Sequence, residues 1–328
     1  MKLGTFDRLR PALVLLAIIA VLTPFIVGKP FWLDNSILVA IFSLMALSVG
    51  MSYGQAGILS VATAAFASVG AYATSIATAQ FGLSPLVGLL LAVVLPMSLG
   101  YPMARAITRL SPMPLSIATL LLSMVLEVGI REGGDFTGGY IGLSGIPKLS
   151  FAPTLASMHV LSWAIVIIVI ALYANLTHSA IGRAVKTARH DPLRATADGV
   201  DVPKILASYF ALSAAVAGLS GWLYAHHLMY MGPESLTIHV SIKTMLMTVI
   251  GGAQTFLGPV VGAAFLTLIT LYLPASETQG MIFGATLVLV LLVAPRGILG
   301  TDWMKLISRT KKRDAPAAPV VPASEHVS

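Results

Sequence analysis

SAIGRAVKTARHDPLRATADGVDVPKI, residues 179–205, is the longest stretch in the middle of the chain that water rather than lipid accepts. Its five basic residues, Arg183, Lys186, Arg189, Arg194 and Lys204, stand between apolar segments at 160–176 and 206–224, each long enough to cross a bilayer. The stretch therefore reads as a loop held at one membrane face. Ile181, Ala184, Val185 and Ala188 fall at helical spacing on one side and Arg183, Lys186 and His190 on the other, the pattern of an amphipathic helix lying at an interface. Asp191 then supplies an N-cap, Pro192 a first helical residue and Gly199 a left-handed terminator. The segment between them, PLRATAD at 192–198, makes about two turns; helix nucleation is costly, so a piece this short calls for something to dock against. The stretch predicts a small rigid knob on the wet side of a membrane protein.

Composition sets the surroundings of that knob. Of 328 residues 57% are apolar and only 10% charged, with a mean hydropathy of +0.89, which is outside soluble composition and inside that of multi-pass membrane proteins. About ten spans are predicted, near 11–28, 34–50, 57–79, 85–104, 113–131, 159–176, 204–227, 241–257, 259–273 and 280–295. The fold class is all-α and polytopic, in one membrane domain over 1–310, followed by a disordered cytoplasmic tail at 311–328 of PAAPVVPASE type. The first span is read as uncleaved, because Pro24 and Phe25 stand where a signal peptide has small residues.

Charge orients the bundle. With the N-terminus inside, Lys2, Arg8, Arg10, Arg105, Arg109, the five loop residues, Arg296, Lys305, Arg309, Lys311, Lys312 and Arg313 are all internal, sixteen of the 20 basic residues; Lys29, Arg131, Lys148 and Lys243 are external. This is the positive-inside asymmetry, and it places both termini in the cytoplasm. The net charge of +7 then needs no nucleic-acid partner. No cysteine is present, which removes disulfides, thiolate metal sites and cysteine nucleophiles.

Several stretches carry polar groups to membrane depth. In YGQAGILS at 53–60 and the AAF and GAY that follow at 64–66 and 70–72, Gln55, Ser60, Thr63 and Ser68 bring hydrogen-bonding side chains, and Gly50, Gly54 and Gly57 permit close approach or a break. Small-residue packing explains the pattern; so does a broken or re-entrant element lining a polar path, with Tyr53, Gln55 and Ser60 along it. Glu127, four residues before Arg131, is a second path candidate, or a structural ion pair near the outer headgroups. TGGYIGLSGIP at 137–147 holds four glycines and a proline, so it forms an outer loop of tight turns. Gly258 and Gly262 have the spacing of a close helix contact. His226, His227 and His239 fall near the outer face without carboxylates or thiolates at ligand spacing, so no metal is assigned.

In order, YGQAGxLS, AAFxxxGAY and the 137–147 element resemble permease subunits of branched-chain amino acid ABC importers, of the permease type that carries TGGxxGLSGIP. The resemblance runs from about residue 53 to 297. It attaches the outer-loop motif to Gly138, Gly139, Gly142, Leu143, Ser144, Gly145 and Pro147. The family pattern has Ser-Asp where this chain has Tyr140 and Ile141, so no acidic substrate contact carries over. It also implies that the knob is a coupling helix of EAAxxxG type, made of Asp191, Pro192, Arg194, Ala195, Asp198 and Gly199, in which Ala195 and Gly199 match and the glutamate is missing.

What the resemblance implies is a transport subunit in the bacterial inner membrane. It would work with two ABC ATPase subunits, a second permease and an extracytoplasmic binding protein, and would need no cofactor. The solute is a branched-chain amino acid or a relative such as urea, an amide or an aromatic acid. The chain has no G-x-x-x-x-G-K-[ST] phosphate loop and no hydrolytic triad, so it is not read as an enzyme. The competing readings are an ion-coupled transporter with Glu127 as relay and a membrane scaffold without transport.

Overall fold

The computed structural model describes residues 5–107, 112–272 and 276–301; the predicted tail at 311–328 and the basic residues at 2, 109, 305, 309 and 311–313 lie outside them. The chain is helical nearly throughout, with α1 at Thr5–Ile26, α2 at Pro30–Val49, α3 at Thr63–Ser75, α4 at Pro85–Ile107, α5 at Pro112–Arg131 and a single turn, α6, at Gly134–Thr137. Then come α7 at Leu155–His178, α8 at Ala180–His190, α9 at Pro192–Ala197, α10 at Val202–Leu228, α11 at Ile238–Gly251, α12 at Gly258–Tyr272 and α13 at Ser276–Val293. Two-residue strands, β1 at Leu143–Ser144 and β2 at Tyr230–Met231, pair antiparallel with Leu143 opposite Met231.

Six helical segments among the described residues are long and apolar enough to cross a membrane: Leu9–Ile26, Pro30–Gln55, Pro85–Ala106, Pro114–Arg131, Leu155–His178 and Val202–Leu228. The span predicted at 57–79 is not one helix. Residues 56–62 are irregular, and α3 begins only at Thr63, continued by a π-helical turn over Ile76–Gln80. The spans predicted at 241–257 and 259–273 are also shorter. At 14 and 15 residues, α11 and α12 reach about 21–23 Å, less than a hydrocarbon core of about 30 Å.

Burial shows which helix is central. The α2 segment is 83% buried within the bundle, while the segment in α1 is 11% and that in α5 17% buried. Leu13, Leu16 and Phe25 on α1, Leu86 and Leu90 on α4, and Ile117, Leu121 and Val125 on α5 are exposed, an apolar coat that lipid rather than water must cover.

Lipid is as apolar as leucine, so helices inside it associate through close packing rather than through the hydrophobic effect. The sequence supplies this with small residues. On α10, Gly218 and Gly221 lie so near the backbones of Ala92 on α4 and Ala67 on α3 that a Cβ at either would collide with them. Gly70 on α3 faces Gly218 in the same way. The spacing noted at 258 and 262 also reports contact: Gly258 and Gly262 on α12 meet Gly251 and Met247 on α11, closing the two short helices into a hairpin.

Candidate functional site

The centre of interest is the interruption between α2 and α3. The backbone of α2 runs on into a π-helical turn over Gly50–Gln55 and then leaves helical geometry at 56–62. A buried break exposes backbone N–H and C=O groups that lipid cannot satisfy, so side chains must do it. Thr119 Oγ1 on α5 accepts from the Val61 N–H at 3.1 Å, and Ser123 Oγ, one turn on, donates to the Val61 carbonyl at 3.3 Å. Ser241 Oγ on α11 accepts from Ala64 N–H at 2.9 Å, and Ser60 Oγ from Ala62 N–H at 3.2 Å. The N-terminus of α3 is thus capped by a residue 177 positions away.

Gln55 and Ser60 are buried within this break, while Tyr53 lines a cavity of about 430 Å³ at the knob end together with Arg189, Gln254 and Arg296. Glu127 and Arg131 lie further along α5. They form the expected ion pair at 2.8 Å, and Arg131 also meets Glu234, beyond β2, at 2.6 Å. Ser68, Ser123, Glu127 and Thr237 line a cleft of only about 10 Å³, room for one water at most. Tyr53 and Glu127 therefore belong to different cavities. From Val61 in the break to Glu127 runs a stripe on α5 that sequence reasoning missed in part: Thr119, Ser123, Glu127 and Arg131 recur every four residues, one face of the helix. The regular spacing of polar residues in an apolar span was the available signal.

The 137–147 loop covers the end of the bundle that holds β1 and β2. Gly138, Gly139, Gly142 and Gly145 all have positive φ. Gly142 has a second reason to be glycine, since a Cβ would lie 2.6 Å from the Met231 carbonyl oxygen. Leu143 is buried, while Ser144 and Gly145 are exposed. The Pro147 carbonyl accepts from His226 Nδ1 at 2.8 Å, so the neutral ring accepts at Nε2 from Thr74 Oγ1, 3.1 Å away. His227 Nε2 lies 3.0 Å from Asp34 Oδ1. These two histidines thus tie elements together, and among the described residues no group of three or more His, Asp or Glu stands ready for a metal. Tyr140, which is exposed, donates to Glu132 at 3.0 Å, and that carboxylate raises the pKa of the phenol.

The knob has the local structure its residues dictate. Ser179 caps α8, accepting from Gly182 N–H, and Asp191 Oδ1 caps α9, accepting from Arg194 N–H at 2.9 Å with Pro192 in the first turn. Gly199 ends the unit at φ +82°. Val185 and Ala188 are buried as their spacing predicts, whereas Ile181 is exposed. Ala195 is fully buried, so it anchors α9 to its own chain; every other residue from Asp191 to Gly199 is exposed, Leu193 and Arg194 among them. Leu193, 86% exposed, was not singled out from sequence, because in a chain this apolar a leucine carries no signal.

A lipid-coated helical bundle built around a buried helix break, with a polar stripe leading to it and a capped knob beside it, is a multi-pass membrane transport protein. The chain belongs to the family described as branched-chain amino acid transport system, permease component, which matches residues 32–291. It is 25% identical over 324 residues to the high-affinity branched-chain amino acid transport system permease protein LivM of Escherichia coli K12, covering 90% of this chain and 76% of that one. It is 26% identical over 302 residues to a probable branched-chain amino acid transport permease protein, LivH, of Methanocaldococcus jannaschii, covering 85% and 95%. A shorter likeness, 29% over 144 residues and 43% of this chain, is to the fructose import permease protein FrcC of Rhizobium meliloti. No solved structure is a significant match.

Proposed function

We propose that this chain is the membrane subunit of an ATP-driven importer in the bacterial inner membrane. It translocates a branched-chain amino acid or a related small polar solute handed over by an extracytoplasmic binding protein. ATP is hydrolysed on two separate ATPase subunits, a second permease completes the pathway, and both termini are cytoplasmic. The chain itself is not an enzyme and needs no cofactor. The 138–147 loop faces the binding protein's side.

One observation carries the reading: a capped, surface-exposed α9 follows directly on α8, whose Arg189 bonds to the carbonyl of Gly54 in the helix break. Ala195 holds α9 to its own chain, and the exposed face around Leu193 is what an ATPase groove receives. The path runs past Tyr53, Gln55 and Ser60 at the break and along Thr119, Ser123 and Glu127. The cavity of about 430 Å³ at the knob end and the cleft of about 10 Å³ beside Glu127 support a reading in which the path is wider toward the knob than toward the outer loop. ATP binding must favour a second state for transport to occur. An ion-coupled transporter with Glu127 as relay is not favoured, because that carboxylate is already compensated by Arg131.

Gly199→Val is the direct test, since its positive φ strains a β-branched residue whatever the space around it. The variant inserts and the ATPases still turn over, but uptake of radiolabelled leucine by proteoliposomes falls at least about tenfold, the equivalent of 1.4 kcal/mol in coupling. Unchanged uptake counts against α9 as the docking element.

A further inference from the structure

The knob and the helix break are joined through one side chain. Arg189, in the last turn of α8, donates from Nη1 to the carbonyl oxygen of Gly54. The N–H groups of Ala56, Gly57 and Ile58 go to the carbonyls of Met51, Tyr53 and Ser52, which leaves the Gly54 carbonyl to the arginine. The carbonyl end of a helix carries the negative end of its dipole, and a guanidinium placed there makes a charge-assisted bond. The stem of the same arginine lies against the break: Gly57 has φ +73°, and a Cβ there would stand 3.0 Å from Arg189 Cγ. On its other side Gly54 abuts the carbonyl of Ala253, in the turn between α11 and α12.

Arg189 is linked to α9 through Asp191, the residue that ends α8 and caps α9. Asp191 donates its N–H to the Thr187 carbonyl at 2.8 Å, ending α8, and accepts from Arg194 N–H at 2.9 Å, starting α9. A displacement of α9 therefore carries Arg189 with it. The cavity lined by Tyr53, Gly54, Arg189, Ala253, Gln254 and Arg296 leaves the break free space in which to respond.

We propose that Arg189 is the positioning residue that transmits movement of the α8–α9 knob to the 50–62 break. The proposal rests on the function set out above and names the residue through which that function acts. Because the chain has no cysteine, a single Leu59→Cys is its one thiol, and its labelling is read on this subunit alone after the subunits are separated by denaturing electrophoresis. The complex with its ATPase subunits and second permease is reconstituted in liposomes, and methanethiosulfonate labelling of that cysteine is timed without nucleotide and after trapping with ATP and vanadate.

In the parent the rate changes by about fivefold or more on trapping; in Arg189→Ala the change falls below about twofold, although ATPase capture and hydrolysis persist. Arg189→Lys, which keeps charge and reach, recovers most of the response. The proposal is overturned if Arg189→Ala keeps the parental response. It is also overturned if the alanine and lysine variants both lose the ATPase subunits, which is the mark of a merely structural role. A parent that hydrolyses ATP with no change in labelling sinks the proposed function itself, and this inference with it.

Discussion

The guanidinium of Arg131 lies 2.6 Å from the carboxylate of Glu234, 103 residues further along the chain, and 2.8 Å from that of Glu127 on its own helix. One cation thus ties the end of α5 to the segment after β2 and holds the only carboxylate within the α5 span. A carboxylate held in this way has the geometry of a structural ion pair.

Glu127→Gln accordingly leaves transport without any ion dependence. In proteoliposomes, collapsing the proton and sodium gradients changes leucine uptake by less than about twofold in parent and variant alike, while omission of ATP abolishes it. Glu234, at 78% exposure, is screened by water, so Glu234→Gln destabilises the protein by less than about 1 kcal/mol in a detergent thermal-unfolding assay. Uptake that follows an imposed ion gradient, and loses that dependence in Glu127→Gln, would overturn the assignment.

The α3–α10 contact is limited by backbone rather than by side chains. Gly221→Val has no space in which to relax against Ala67, and overpacking of this kind costs about 1–3 kcal/mol or more. Gly129 on α5 has open space around its Cα, so Gly129→Ala is neutral or stabilising by up to about 1 kcal/mol. Thermal aggregation of the two purified variants, followed by size exclusion, separates them.

Removing a cap from the break leaves a buried donor unsatisfied. Thr119→Val strands Val61 N–H and Ser241→Ala strands Ala64 N–H, at about 1–3 kcal/mol each. Hydrogen exchange of a peptide covering 58–66 rises in both variants, with little change in α7. Equal protection in parent and variants would show that water already serves these groups.

Leu193 is exposed at the tip of α9 and contributes little to the packing of its own chain. Leu193→Asp therefore keeps thermal stability within about 0.5 kcal/mol, while co-purification of the ATPase subunits weakens about tenfold, a loss near 1.4 kcal/mol in a desolvated contact. Full retention of the ATPases moves the docking surface away from this leucine.

Much of this was readable in one dimension. Hydropathy marked the membrane class and most helices, since lipid imposes its length and polarity on each span locally. Capping was equally local: Asp191, Pro192 and Gly199 specify the start and end of α9 through bonds within a few residues. The ion pair of Glu127 with Arg131 followed from helical spacing alone. Depth in the bundle, the outward turn of Leu193 and the inward turn of Ala195 depend on neighbours far along the chain.

The sequence by itself determined that the chain lives in a bilayer and that a capped knob projects from it, and it left Gly50, Gly54 and Gly57 open between close packing and a break in the helix. Only the tertiary structure decided where the break falls and how it is tolerated. The reason is physical: an interrupted helix in lipid survives only where other helices supply its missing hydrogen bonds, and Thr119, Ser123, Arg189 and Ser241 come from three helices that no local pattern connects to residue 60.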